Sequence, residues 1–113
     1  MTELPEGIAP DTAKDRTTWM RRYTLDPALA DQFVEFLRTK VIPAREGRGF
    51  TVESMWLDDD KSQLTWFVSR PGSAEDFADA EREWEESEER AEIFAEAPKY
   101  VTGKDLRQVI RLR

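Results

Sequence analysis

Residues 50–57, FTVESMWL, and residues 62–69, SQLTWFVS, flank a short polar stretch, DDDK, at residues 58–61. Both flanking stretches are rich in β-branched and aromatic residues, which favour strands. Two such runs joined by a short polar turn predict a β-hairpin. The hairpin lies near the middle of 113 residues, a length typical of one domain, so the fold can be worked out from it in both directions.

The segment before the hairpin predicts a strand followed by a helix. Residues 17–25, TTWMRRYTL, have the composition of a strand. Asp26 and Pro27 are typical of a helix start, with an N-cap followed by proline at the first helical position. We expect Pro43 to end or kink this helix, because proline lacks a backbone donor. The apolar residues of the helix recur at helical spacing: Leu29, Phe33, Phe36, Leu37 and Val41.

The segment after the hairpin predicts a second helix and a final strand. A helical pattern covers residues 74–97, and residues 106–112, LRQVIRL, predict the last strand. The apolar face of this helix is marked by residues seven apart: Phe77, Trp84 and Ala91. Residues 1–16 have no apolar periodicity and predict a flexible N-terminal tail, which leaves residues 17–113 as the domain.

The order β-α-β-β-α-β is typical of the ferredoxin-like α+β fold, a four-stranded antiparallel sheet with two helices on one face. The strands do not alternate cleanly between apolar and polar residues. In the second strand, Val52 and Trp56 point to one face, and Met55 and Leu57 point to the other. Both faces therefore look buried, although two helices can cover only one. We expect a second copy of the chain to cover the other face through two-fold symmetry.

The charge composition restricts the partners. The chain has 17 Lys+Arg against 24 Asp+Glu, a net charge of −7. This balance argues against nucleic acid and against an anionic membrane surface as partners. The acidity is concentrated in residues 75–92, which hold ten acids and two arginines. No apolar run is long enough to span a bilayer, and the first residues lack the features of a signal peptide, so we expect a cytoplasmic protein.

The absence of His and Cys restricts the chemistry. Without Cys there is no disulfide, thiolate nucleophile or zinc ribbon, and without His there is no Ser-His-Asp triad and no His-ligated haem. The Asp-rich hairpin tip lacks the Gly and the Glu that a calcium loop requires. We therefore predict no metal site and no organic cofactor.

Several short motifs resemble the NIPSNAP family of dimeric α+β barrel proteins. They are Arg21–Leu25, Val41-Ile42-Pro43, Gly49-Phe50 and Trp56 with the acidic hairpin after it. The resemblance implies a homodimer whose two sheets form a barrel, with a ligand pocket in each protomer between sheet and helices. It also implies a superfamily that includes cofactor-free monooxygenases, polyketide cyclases, isomerases and haem-binding enzymes. The third strand of such sequences often carries a His, and Thr65 stands at that position here, so a mechanism using that imidazole is not implied.

The candidate catalytic residues are Tyr23, Arg21 and Glu53. Tyr23 and Arg21 share one face of the first strand with Trp19, and both are donors that could orient a carboxylate or stabilise an enolate. The alternative is an interfacial Tyr and a surface Arg. Glu53 lies in a strand with apolar neighbours, where burial would raise its pKa and suit a general base. It could equally pair with Arg21 or Arg22, or lie at a strand edge.

The candidate ligand-binding residues surround the same expected pocket. Trp56 and Trp66 could form aromatic walls for a planar ligand, or belong to the core or the dimer interface. Arg45 follows the first helix and Tyr100 follows the second, so both could close the pocket mouth or be solvated. We place Thr65 with this group because of its position in the third strand.

Two functions follow from these features. The first is a small-molecule enzyme without metal or organic cofactor, of the oxygenase, cyclase or isomerase type, acting on an apolar or aromatic metabolite in biosynthesis. The alternative is a non-catalytic dimeric module that binds a ligand or a protein, with the acidic helix as its recognition face. A small-molecule site requires a cavity of about 300 Å³ or more between sheet and helices.

Overall fold

The computed structural model describes residues 16–113, a four-stranded antiparallel sheet covered on one face by helices. The strands are β1 (Arg16–Leu25), β2 (Thr51–Leu57), β3 (Gln63–Pro71) and β4 (Val101–Val109). The helical segments are a 3₁₀ turn (Pro27–Leu29), α1 (Ala30–Phe36), a π-helical segment (Leu37–Val41), α2 (Ile42–Glu46), α3 (Ala74–Glu86) and α4 (Glu88–Phe94). The strand order β2-β3-β1-β4 and the element order confirm the predicted ferredoxin-like α+β fold.

The described region begins inside the predicted tail. Residues 1–15 of that tail lie outside the described residues, and Arg16 already belongs to β1. No helix within residues 16–113 is long and apolar enough to cross a membrane.

Strand β1 lies between β3 and β4 and decides which side chains meet the helices. Its residues pair antiparallel with both neighbours, so that Arg21 lies opposite Trp66 on one side and Leu106 on the other. Because side chains alternate along a strand, Arg21 and Tyr23 point to the face under the helices, called here the inner face. The intervening Arg22 points to the opposite, outer face.

The hydrophobic core fills the space between the inner face and the helices. Each large side chain buried there contributes about 1.5–3 kcal/mol relative to an exposed one. Its largest fully buried apolar side chains come from β3, the π-helical segment and α3: Leu64, Trp66, Val68, Leu37 and Trp84. Further core residues come from β1, α1 and α2, so one core holds the sheet to both helical regions.

The first helical region continues through Pro43, so the expected end of the helix near Val41 and Ile42 is wrong. Asp26 caps its start by accepting a hydrogen bond from the Ala28 N–H at 2.9 Å. In the π-helical segment the backbone hydrogen bonds span five residues instead of four, so that the Ile42 N–H donates to the Leu37 carbonyl. Pro43 then lies in the first turn of α2, where a missing backbone donor costs little. The helix therefore reaches Glu46 before it ends.

The second helical region is two helices, not the single helix predicted over residues 74–97. It breaks at Ser87, whose backbone is extended with φ −76° and ψ 151°. The Ser87 Oγ donates to the Trp84 carbonyl at 2.7 Å and accepts from the Arg90 N–H at 3.1 Å. Serine is a favoured N-cap, and this local bonding outweighs the continuous helical pattern around it.

The last strand begins and ends earlier than residues 106–112. It runs over residues 101–109 because pairing with β1 sets its length, from Val101 opposite Leu25 to Val109 opposite Thr18. The apolar residues that suggested a later strand, Ile110 and Leu112, are exposed beyond its end. The prediction located the strand from its apolar residues. The actual bounds depend on which backbone groups find hydrogen-bond partners in β1.

Replacing Ser87 with Ala removes the side-chain oxygen that caps α4. We expect the free energy of unfolding to fall by about 1 kcal/mol, measured by urea denaturation. The matched control is Ser87→Asn, which keeps a capping oxygen and should remain close to the original protein. An Ala variant as stable as the Asn variant would show that the cap does not hold the break.

Candidate functional site

A cavity of about 200 Å³ opens between the inner face of the sheet and the helices. It lies over β1 and β3 and under the π-helical segment, α2, α3 and α4. Six aromatic side chains line it: Tyr23, Phe33, Trp66, Trp84, Phe94 and Tyr100. Rings of Phe33 and Tyr100 lie 5.0 Å apart between centroids, and Tyr23 meets Trp66 edge-on at 6.1 Å. The walls therefore have a large aromatic share, as ligand sites commonly do.

Two buried arginines share one carboxylate beside this cavity. Arg45 donates from both terminal nitrogens to Glu81, at 2.9 and 3.0 Å, in a bidentate pair. Arg21 donates to the same carboxylate at 3.2 Å. The arginine side chains are 3% and 6% exposed, and the Glu81 side chain is 19% exposed. The cluster joins β1, α2 and α3 at a single point.

The mutual charges keep Glu81 and Arg21 ionised. Burial alone would raise the pKa of Glu81, but the hydrogen bond and charge of Arg45, with the charge of Arg21, lower it below its ordinary value. Burial alone would lower the pKa of Arg21, and the neighbouring Tyr23 and Glu81 raise it instead. Glu81 is consequently a poor proton acceptor at neutral pH.

Three hydrogen-bond donors on side chains that line the cavity have no acceptor among residues 16–113. The Nε–H of Arg45 and the Nε1–H of Trp66 are buried without any partner, in side chains that are 2% and 1% exposed as residues. The Tyr23 oxygen accepts from the Arg21 Nε at 2.8 Å, which leaves the Tyr23 hydroxyl proton free to donate. A buried donor without an acceptor costs about 1–3 kcal/mol. The arrangement therefore suits a molecule that brings acceptor atoms.

Five of the residues singled out from the sequence line this cavity. They are Arg21, Tyr23, Arg45, Trp66 and Tyr100. Arg45 lies deep inside rather than at the mouth, because the helix that continues past Pro43 turns it toward the sheet. Tyr100 is buried as well, and its hydroxyl accepts a hydrogen bond from Gln32 at 2.8 Å. Their roles toward a ligand stay predictions.

The other three candidates lie on the outer face, away from this cavity. Trp56 is 64% exposed there. Thr65 accepts a hydrogen bond from Arg22, which also pairs with Asp58 at 2.9 Å. Strand alternation explains why both side chains lie on the outer face. Trp56 lies opposite Thr65, and their chain neighbours Met55 and Trp66 face inward.

Glu53 is likewise on the outer side, at a bulge in β2. The register between β2 and β3 shifts between Val52 and Ser54, which removes Glu53 from regular alternation. Its carboxylate accepts a hydrogen bond from the Ser69 hydroxyl at 2.6 Å. It makes no ion pair with Arg21 or Arg22, whose carboxylate partners are Glu81 and Asp58. The ion-pair alternative is therefore wrong, whereas the strand-edge alternative agrees with the place of β2 at one edge of the sheet. The catalytic role of Glu53 stays a prediction, which its distance from this cavity does not favour.

Glu81 is the residue that sequence reasoning missed. It was counted with the acidic surface of the second helix, yet it follows Phe77 by four residues and precedes Trp84 by three. Those spacings place it on the buried stripe of α3. An acid on an apolar stripe is the signal that could have identified it. Arg90, Lys99 and Lys104, which also line the cavity, carry no comparable signal.

This cavity alone, at about 200 Å³, does not meet the requirement of about 300 Å³ stated from the sequence. A second, more open groove of about 540 Å³ lies between β4 and α3, lined by Trp19, Phe77 and Leu106. Arg21 and Glu85 border both spaces. The deep cavity therefore fits only a compact molecule. Within residues 16–113, no group of three or more acidic side chains is placed to hold a metal ion.

The comparisons with known proteins agree on the fold. No family model matches the sequence, and no curated protein matches it significantly. A NIPSNAP family protein of unknown function from Agrobacterium tumefaciens has a similar structure, with a TM-score of 0.76, 8% identity and coverage of 88% of this chain and 90% of that one. An uncharacterized NIPSNAP-like domain protein from Burkholderia xenovorans has a TM-score of 0.72, 16% identity and coverage of 86% and 85%.

A third similar structure belongs to a different group with the same fold. It is a protein from Bacteroides thetaiotaomicron provisionally assigned as an antibiotic biosynthesis monooxygenase, with a TM-score of 0.65, 11% identity and coverage of 88% and 91%. At these identities the likeness concerns the fold. The predicted resemblance to NIPSNAP structures is thus confirmed at the level of the fold, and it extends over most of the chain.

Replacing Glu81 with Gln leaves two buried arginines without a counter-charge. We expect the free energy of unfolding at pH 7 to fall by about 3 kcal/mol, since breaking a buried ion pair is costly. The control is Glu83→Gln, an exposed position on the same helix without an ion pair, where the change should stay within about 0.5 kcal/mol.

The loss of stability caused by Glu81→Gln should also depend on pH. The folded-state pKa of Glu81 lies below its ordinary value of 4.5. The ionised carboxylate therefore contributes fully to the free energy of unfolding above pH 4.5, and this contribution is lost as the pH falls through the lower folded-state pKa. The stability difference between the original protein and Glu81→Gln should therefore shrink in acid. A difference that stays constant from pH 7 to pH 3 would contradict this electrostatic account.

Proposed function

We propose that the chain is a small-molecule enzyme without metal or organic cofactor, of the oxygenase, cyclase or isomerase type, whose substrate is a compact apolar or aromatic metabolite. The observation that carries the proposal is the set of three donors without acceptors at a cavity with aromatic walls. The fold shared with the provisionally assigned monooxygenase is compatible with it. Fold alone does not determine chemistry, so the argument depends on the site.

The donors suit a reaction that places negative charge on oxygen. When a proton leaves a carbon beside a carbonyl, the electron pair moves to the carbonyl oxygen and forms an enolate. Preorganised donors stabilise such a charge strongly in a site that excludes water. Tyr23 fits this role because the Arg21 N–H donated to its oxygen polarises the hydroxyl. Oxygenation, cyclisation and isomerisation can all begin from an enolate.

The proton acceptor in this proposal differs from Glu53, the base predicted from the sequence. Glu53 lies on the outer face, and Glu81 is held by two arginines with a lowered pKa. Glu85 lines the cavity and is the carboxylate in this lining that bears no such pair in the described region. We assign it the role of base in this proposal, with Trp66 and Trp84 as walls and Tyr23 as the principal donor.

Hydrogen exchange tests the enolate step without knowledge of the natural substrate. We expect the protein to accelerate exchange of the benzylic protons of phenylacetone in D₂O, followed by NMR. The Tyr23→Phe variant should lose about a hundredfold of that acceleration, as for other oxyanion donors. Glu53→Gln is the control and should exchange at the original rate, because Glu53 is remote from the cavity. Exchange no faster than in buffer would contradict the enzymatic proposal.

The alternative is a non-catalytic module that binds the same kind of molecule. It is favoured by one observation, that the sequence-predicted base Glu53 lies outside the cavity. Binding of phenylacetone without exchange would support this alternative. The acidic helix as a protein-recognition face has less support, because its inward carboxylate Glu81 is occupied by arginines.

We also propose that the protein is a homodimer in which a second copy covers the outer face. No helix among the described residues covers this face, where Met20 and Phe67 are half-buried opposite one another and Trp56 is exposed. An exposed apolar patch on a sheet is typical of an interface. A cytoplasmic location and a role in biosynthesis likewise stay predictions.

Light scattering tests the dimer. We expect a mass of twice the 13.2 kDa chain at micromolar concentration. Phe67→Asp should convert the protein to monomers, because it buries a charge against the opposing sheet. The control is Leu106→Asp, an exposed leucine on the inner side of β4, which should leave the mass unchanged. A single-chain mass for the unaltered protein would contradict the proposal.

A further inference from the structure

We infer that the ligand of the deep cavity carries a carboxylate on a body of about one ring. This inference rests on the proposed function, because it names the chemical class that the same cavity takes. It is argued from the charge balance of the site, from the donors left without acceptors and from the cavity volume.

The buried cluster has one carboxylate in ion pairs with two arginines. Arg21 and Arg45 bring two positive charges, and Glu81 is the carboxylate that pairs with both within residues 16–113. The other nearby acid, Glu85, acts on Arg21 through its charge without an ion pair. A charge in a buried site is normally neutralised by a hydrogen-bonded partner. A bound carboxylate would give the two arginines a second such partner.

The lining of the whole cavity also carries a net positive charge. Five cationic side chains line the cavity: Arg21, Arg45, Arg90, Lys99 and Lys104. Glu85 is the acidic residue of this lining and makes no ion pair within residues 16–113, although its charge helps to raise the pKa of Arg21. A protein with a net charge of −7 thus has a cationic cavity, which would attract an anion and repel a cation.

The orphaned donors match the acceptors of a carboxylate. Arg45 Nε, Trp66 Nε1 and the Tyr23 hydroxyl belong to side chains packed around one another, with the guanidinium carbons of Arg45 and Arg21 at 5.6 and 5.9 Å from the Trp66 ring centroid. A carboxylate offers about four lone-pair positions on two oxygens. One neutral carbonyl offers two, which is fewer than the donors present.

The volume restricts the remainder of the ligand. The cavity measures about 200 Å³. An engineered apolar cavity of about 150 Å³ is large enough for benzene. A single ring with a carboxyl group therefore fits, whereas a fused polycyclic body does not fit without extending into the open groove beyond Arg21.

Calorimetric titration with two isosteric probes tests the inference. We expect benzoate to bind at least about tenfold more tightly than benzamide, because hydrogen bonds to a charged acceptor are the stronger ones. Tyr23→Phe should weaken benzoate binding by a similar factor. Lys104→Gln, on an exposed side chain at the cavity, should weaken it about threefold, and it keeps the test valid if the Tyr23 variant does not fold. Lys40→Gln, an exposed lysine remote from the cavity, is the matched control and should have no effect.

The outcomes separate this inference from the proposed function. Benzamide binding as tightly as benzoate, or equal effects of Lys104→Gln and Lys40→Gln, would overturn the carboxylate while leaving a small-molecule cavity in place. Absence of binding by both probes at millimolar concentration would overturn the small-molecule function and the inference with it. Preferential binding of benzoate that depends on Lys104 and Tyr23 would support both.

Discussion

The carboxylate of Glu81 is the point at which the sheet and both helical regions meet. It lies 60 residues from Arg21 and 36 residues from Arg45 along the chain, and it bonds to both. A hydrophobic trio of the same volume would hold these elements together at least as well, because desolvation offsets much of the attraction in buried ion pairs. Stability alone therefore gives no reason for charges here. The proposed acidic ligand would give such a reason, because the two arginines would then also serve the cavity.

The path of the first helix decides whether Arg45 can take part. A regular helix broken at Pro43 would leave Arg45 in a loop at the surface. The π-helical segment places Pro43 where its missing donor has no consequence, so the helix turns once more and carries Arg45 inward. Such segments are frequently found at functional sites. The wider turn and the buried guanidinium are thus two aspects of one local arrangement.

The sequence predicted the fold well and the site only in part, for physical reasons. Strand alternation correctly grouped Arg21 with Tyr23, since a period of two is obeyed wherever the ladder is regular. Strand alternation failed at Glu53, because the bulge between Val52 and Ser54 shifts the alternation of side chains in β2. The break at Ser87 and the end of β4 depend on local capping and on strand partners. Apolar spacing does not encode either of these.

The order of the strands has a consequence for how the molecule is made. β1 precedes the other three strands in the chain, yet one of its two edges pairs with β4, so that Arg21 meets Leu106 across 85 positions. Pairing over such distances must overcome a large loop-closure entropy, which typically slows folding to milliseconds or longer. During synthesis, this edge of β1 stays open until β4 has left the ribosome. The cavity, whose lining includes Lys104 of β4, can therefore close only after β4 has been synthesised.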